Sequence, residues 1–163
     1  MAFDLVTFTD SLVNLIDKNN TTTSSYDISG SLKTRVRKVS FGFYKNKPLP
    51  NILYPCVWVS PVKKANEFVE LGRSAKRKQV IEYEIAAITN EGIGYENGRE
   101  VADQEMLQLS SNLETLFRNY PRLSVTAQVM QSQISDISYD VSEYNETWNS
   151  MSLLKLIVDI FSV

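Results

Sequence analysis

Histidine is missing from all 163 residues, and cysteine occurs once, at Cys56. Without imidazole there is no Ser-His or Cys-His nucleophile pair and no His-ligated metal. With a single thiol there is neither an internal disulfide nor a thiolate zinc site. Cys56 lies in the run YPCVWV, where a lone thiol reads as a small buried hydrophobe. No run of eighteen apolar residues occurs, so neither a helical span nor a membrane partner is expected. The opening MAFDLVTFTDSL carries acids where a secretory signal carries bases, and it reads as mature structure. The compartment these absences leave is the cytoplasm of the producing cell.

Catalytic patterns are equally scarce. The segment NEGIGYENGR at 90–99 lacks both the Lys-Ser/Thr of a P-loop and the G-x-G-x-x-G spacing, and reads as a turn. Glu82 and Glu84 share one strand face, where carboxylates two apart are ordinarily solvated. No nucleophile, base and oxyanion donors converge, so no catalytic residue, cofactor or metal site is expected.

Charge is present but unevenly spread. Residues 28–78 hold twelve bases against two acids, and residues 79–163 hold thirteen acids against four bases. The net charge of −2 therefore hides a basic middle and an acidic C-terminal half. Either this leaves a polar field at the surface, suited to head-to-tail self-association, or folding interleaves the two halves and cancels it.

Apolar spacing organises the chain around a helix at 100–119. Ala102, Met106, Leu109, Leu113 and Leu116 recur at helical steps, and Pro121 stops the run. A first helix is expected over 3–18, with Leu5, Phe8, Leu12 and Leu15 or Ile16 inward. The polar segment 19–31 is expected to be a flexible loop. From 32 to 44 alternation changes parity near Lys38, which predicts a strand with a bulge. A turn at 45–51 precedes a strand over 52–59, in which Pro55 prefers an edge or a bulge. Residues 60–76 are a short helical turn or the arm of a long hairpin, and read best as an exposed excursion. Strand 77–89 puts Ile81, Tyr83, Ile85 and Ala87 on one face. In 123–141, Val125, Ala127, Val129, Ile137, Tyr139 and Val141 share one parity, implying one long strand or two collinear ones. Residues 148–162 then turn Leu154, Leu156, Val158 and Ile160 inward. The sum is an α+β fold in one domain, 1–163: an antiparallel or mixed sheet, two main helices on one face, and a long C-terminal β-hairpin.

In this layout the chain resembles the tail-terminator, or tail-completion, proteins of long-tailed bacteriophages. The resemblance lies in a leading helix, a Tyr-Pro plus hydrophobic run at 54–59 and a charged excursion at 62–78. It continues with the strand IEYEIAAIT at 81–89, a polar helix ending in Asn119-Tyr120-Pro121, and a Trp-bearing aliphatic pair of strands over 148–158. It implies a ring, typically a hexamer, on the head-proximal end of the tail tube. That ring stops tube polymerisation and offers a docking surface to the head. The implied partners are the chain itself, the tail tube protein, a head-completion or neck protein and, in transit, genomic DNA. The implied location is the virion, after assembly in the host cytoplasm, and no catalytic residue goes with the family.

On physical grounds a closed ring joins two different surfaces of one protomer, and the charge asymmetry suits such a joint. Lys63, Lys64, Arg73, Lys76, Arg77 and Lys78 are the expected subunit or tube interface. Lys33, Arg35, Arg37 and Lys38 either face a DNA channel, weakly and salt-sensitively, or guard a strand edge with charge. Two other functions fit the residues less closely. One is another neck protein; the other is a nucleic-acid-binding module stacking bases on Phe41, Phe43 and Tyr44.

Overall fold

The computed structural model of the chain describes residues 4–42, 53–68, 77–92, 98–123, 129–144 and 147–162. Asp4 opens the first helix, α1 (Leu5–Lys18), as its N-cap. Its carboxylate accepts from the Thr7 hydroxyl at 2.5 Å and from the Val6 N–H at 3.1 Å. Those bonds, the Thr7 one foremost, hold the carboxyl below its ordinary pKa of 3.8. Phe8, Leu12, Leu15 and Ile16 form the buried stripe, while Leu5 is half-buried at its end.

The sheet comprises β1 (Lys38–Phe41), β2 (Cys56–Phe68), β3 (Arg77–Gly92), β4 (Val129–Tyr144) and β5 (Thr147–Ser162), in the order β1-β2-β3-β5-β4. β1 runs parallel to β2, and every other pairing is antiparallel. The second helix, α2 (Gly98–Asn119), lies on the same face as α1, which makes the fold α+β with a mixed sheet and the expected C-terminal hairpin β4-β5. Alternation explains the strands. Ile81, Tyr83, Ile85 and Ala87 of β3 and Leu154, Leu156, Val158 and Ile160 of β5 are wholly buried under the helices.

The two helices are anchored differently. Phe8 packs against Tyr83 with ring centroids 6.0 Å apart, and the Thr9 and Tyr83 hydroxyls lie 2.9 Å apart. Because the Thr9 hydroxyl donates to the Leu5 carbonyl, the Tyr83 hydroxyl is the donor in that pair. On α2, Ala102, Met106, Leu109, Leu113 and Leu116 are buried, as the spacing requires. Its N-terminal half also rests on small residues of the sheet. The Thr89 hydroxyl donates to the Ala102 carbonyl at 2.7 Å, and the Ser150 hydroxyl donates to Asp103 at 2.5 Å.

Four sequence expectations are corrected. Residues 19–36 are not a loose loop. Asn20 Nδ2 donates to the Val36 carbonyl at 2.7 Å, Asn112 Nδ2 to the Ile28 carbonyl at 2.9 Å, and Ile28 is fully buried. Tyr26 meets Tyr120 edge-on at 5.7 Å, so polar side chains and one apolar plug order what lacks periodicity. In 32–41 the parity change at Lys38 marks where a strand begins, since only Lys38–Phe41 is extended in the sheet. Residues 60–68 are no separate excursion but the arm of a hairpin, with Val62 as an extra residue between Pro61 and Lys63. Pro55 precedes β2, after a cis peptide bond from Tyr54, and accepts from the Arg37 N–H at 2.8 Å. The turn at 45–51 and residues 69–76 lie outside the described residues.

The fourth correction concerns β4. Opposite the inward β5 residues Ile160, Val158, Leu156, Leu154 and Ser152 stand Val129, Ser132, Ile134, Ile137 and Tyr139. The inward parity is thus odd, then even, then odd again. Register shifts at Met130 and Ser135 cause both changes, and they cancel. Gln131 and Gln133 therefore face away from the helices, and Ser132 and Ile134 take the places between them.

Replacing Tyr83 by Phe is expected to lower stability by about 1 kcal/mol at neutral pH, the net worth of one buried hydrogen bond. Burial pushes the Tyr83 hydroxyl up to about 12 from 10.0. The unfolded chain therefore ionises first, and this group's contribution is present below pH 10 and fades between pH 10 and 12. Denaturant titrations across that window should show the gap between wild type and Tyr83→Phe closing as pH rises.

Candidate assembly surfaces

Both helices lie on one side, and no described helix covers the opposite face of the sheet, called the open face below. Cross-strand partners point to the same face, so the ladders sort every strand residue. The open face carries Lys38, Trp58, Lys63, Lys78, Val80, Glu82, Glu84, Ile88, Met151, Leu153, Lys155, Ile157 and Asp159. Its charges are mixed and locally paired. Lys155 reaches Glu82 at 3.4 Å, and Lys78 reaches Asp159 at 3.7 Å. Lys78 with Asp159 joins a base of the middle segment to an acid of the C-terminal half, whereas Lys155 and Glu82 both belong to that acidic half.

The expected interface residues are scattered by this arrangement. Lys63 and Lys64 are both exposed, but as strand neighbours after the Val62 bulge they stand on opposite faces, Lys63 opposite Glu82 and Lys64 opposite Ile81. Lys78 is half-buried and held by Asp159. Arg77 begins β3 between Phe68 and Ser162, and Arg73 and Lys76 lie outside the described residues.

Of the second basic set only Lys38 lies in a strand at the edge of the sheet, as the first residue of β1. Arg35 grips Asp27 with two nitrogens, at 2.7 and 3.2 Å. Lys33 is exposed, and its backbone N–H donates to both Glu105 oxygens at 3.1 and 3.2 Å, tying the segment to α2. Arg37 is exposed, and Lys38 places its ammonium 5.8 Å from the Trp58 ring centre. Gly42, next to that ring at φ +143°, admits no side chain: a Cβ there would stand 3.2 Å from the indole. Lys38 and Lys63 are seven residues apart in β2 register, roughly 23 Å along the strand. The two basic sets do not merge into one patch.

Two aromatics of the outermost strands β1 and β4 face solvent: Phe41 is 48% and Tyr139 56% exposed. Phe43 and Tyr44, the other members of the suggested stacking platform, lie outside the described residues. A cleft of about 340 Å³ opens between the end of α2 and β4, lined by Glu114, Phe117, Arg118, Ser132, Gln133 and Ile134. Its polar groups are engaged, Glu114 with Arg118 at 3.0 Å and the Ser132 hydroxyl with the Pro121 carbonyl at 3.0 Å. Cys56 is fully buried, and burial raises its thiol to about 12 despite the opposing influence of Trp58 and Lys38.

The sequence matches no protein-family model and no curated protein. Among solved structures, the chain is similar to one from the virion of a native gene transfer agent particle, at 9% identity and a TM-score of 0.41 over 91% of this chain and 94% of that one. At that distance the likeness assigns neither family nor role.

Two measurements check the side-chain placements. Cys56 should resist thiol reagents at neutral pH until the chain is unfolded, since the thiolate is both scarce and covered. Arg35→Gln should loosen residues 19–36, seen as faster amide exchange at Ile28, whose N–H is bonded to the Asn19 carbonyl at 2.9 Å.

Proposed function

We propose that this chain is a structural subunit of a phage-type virion. It forms a ring, of six copies, that caps the head-proximal end of the tail tube, ends tube polymerisation and gives the head its docking surface. The observation that carries this is the order of elements. A leading helix, Tyr54-Pro55 running into β2, the alternating strand β3, a polar helix closing at Asn119-Tyr120-Pro121 and the paired strands β4 and β5 succeed one another as the resemblance requires. A non-enzymatic role agrees with the two groups of raised pKa. The Cys56 thiol and the Tyr83 hydroxyl are both enclosed and both moved away from reactivity at neutral pH.

Within that role, Lys63 and Lys64, with Arg73, Lys76 and Arg77, meet an acidic surface of the tube or of the next copy. Lys78 contributes less, because Asp159 already compensates it. Lys33, Arg35, Arg37 and Lys38 meet DNA in passage, through contacts that would be weak and salt-dependent. The partners are copies of the chain, the tube protein and a neck protein, and the location is the virion.

Particles assembled without the protein distinguish the roles. Overlong tubes are the expected result. Tails of normal length that fail to join heads would reassign the chain to another neck component. A persistent monomer that binds single-stranded DNA with a steep salt dependence would replace the ring by a nucleic-acid-binding module.

A further inference from the structure

The outermost strands β1 and β4 match one another residue by residue, and we infer that β1 of one copy pairs antiparallel with β4 of the next, so that the sheet continues from subunit to subunit. This rests on the ring proposed above and specifies its joint. Three independent features of the sheet lead to it.

The first is polarity. β1 and β2 run one way, β3 the other, β5 back again, and β4 with β3. A copy placed beside β4 in the same orientation therefore offers β1 antiparallel to it. Among the described residues, no strand lies beyond β1 or beyond β4, so both present backbone groups at the rim of the sheet.

The second is height. Lys38, Cys56, Ile88, Met151 and Asp140 form one continuous row across all five strands. The next rows end on Val39 and Tyr139, on Ser40 and Ser138, and on Phe41 and Ile137. A copy continuing the sheet at the same level sets Lys38 opposite Asp140, Val39 opposite Tyr139, Ser40 opposite Ser138 and Phe41 opposite Ile137.

The third is chemistry. In that register a base meets an acid on the open face, two serines meet beside them, and two apolar pairs meet on the helix-bearing face. Phe41 and Tyr139 are the pair of aromatics that the isolated chain leaves half in water, at 48% and 56% exposure. Cross-strand pairs of these kinds are those that stabilise antiparallel ladders. Sliding the register by one residue would turn Lys38 toward Tyr139 and put Asp140 on the wrong face. The joint is heterologous, as a ring requires, since a β1 edge cannot take another β1 edge with the same matches.

The test introduces cysteine at Ser40 and Ser138 together and applies a short bis-maleimide to the assembled protein. Within one chain the two positions are four strand spacings apart, roughly 19 Å, so a short linker joins only different copies. Cys56, fully buried, stays out of the reaction. The expected result is a ladder of covalent multimers ending at the ring, while Ser40→Cys or Ser138→Cys alone yields no species beyond a dimer. A charge exchange reads the same joint: Lys38→Glu should raise the concentration for half-assembly about fivefold, the order of one cross-strand charge pair, and adding Asp140→Lys should restore it. A chain that assembles without the ladder, or a double charge variant no better than the single one, overturns the strand pairing and leaves the ring intact. A chain that stays monomeric at every concentration and on tubes overturns both.

Discussion

Keeping one face of the sheet dry governs most of this structure. β3 and β5 are the inner strands that pair along their full length, and each sends four fully buried apolar side chains to the side on which α1 and α2 lie. Alternation then obliges the other residues of both strands to share the opposite face, where no helix covers them. The apolar members there, Val80, Ile88, Met151, Leu153 and Ile157, are half-buried by their neighbours and by the Lys155 and Lys78 ion pairs. Everything offered to a partner is therefore decided by a requirement internal to the subunit. The surfaces are the open face and the two rims, because the helices use up the third.

Ordinary amounts of charge serve this plan in two ways. Arg35 with Asp27, Lys155 with Glu82 and Lys78 with Asp159 fix loops and strands locally. Partly exposed pairs of this kind contribute little to stability, and their effect is on geometry. Lys38 and Asp140 sit at opposite ends of one row, too far apart to meet within a chain, whatever local contacts each makes. Segment totals of charge along the sequence do not distinguish these uses, because they do not say which charges lie side by side across β3 and β5: Lys78 meets Asp159 of the other segment, and Lys155 meets Glu82 of its own.

Long periodic segments are legible in the sequence, and rims are not. α2 and the inner strand β3 emerge from spacing alone, since their buried residues repeat without interruption. The segment 19–31 reads as flexible because its order comes from Asn19, Asn20, Ser29 and Asn112 bonding to backbone and to one another, which leaves no periodic trace. Phe41 and Tyr139 obey the alternation of their strands yet are exposed, because exposure depends on whether another strand follows, and that is a property of topology. For Lys63 and Lys64 the hairpin bulge at Val62 decides which way each one faces, and nothing in the run VSPVKKAN announces it.

The paired irregularities of β4 have a consequence for how relatives of this chain would be compared with it. Met130 and Ser135 each add one residue on one side of the ladder, and their effects on facing are opposite. A descendant that lost both would be two residues shorter and keep every flanking side chain in place, whereas a descendant that lost one would expose half the strand's apolar set. Length variation in this region should therefore come in steps of two, and an alignment drawn through it without gaps would equate core positions with solvent ones while looking flawless on either side.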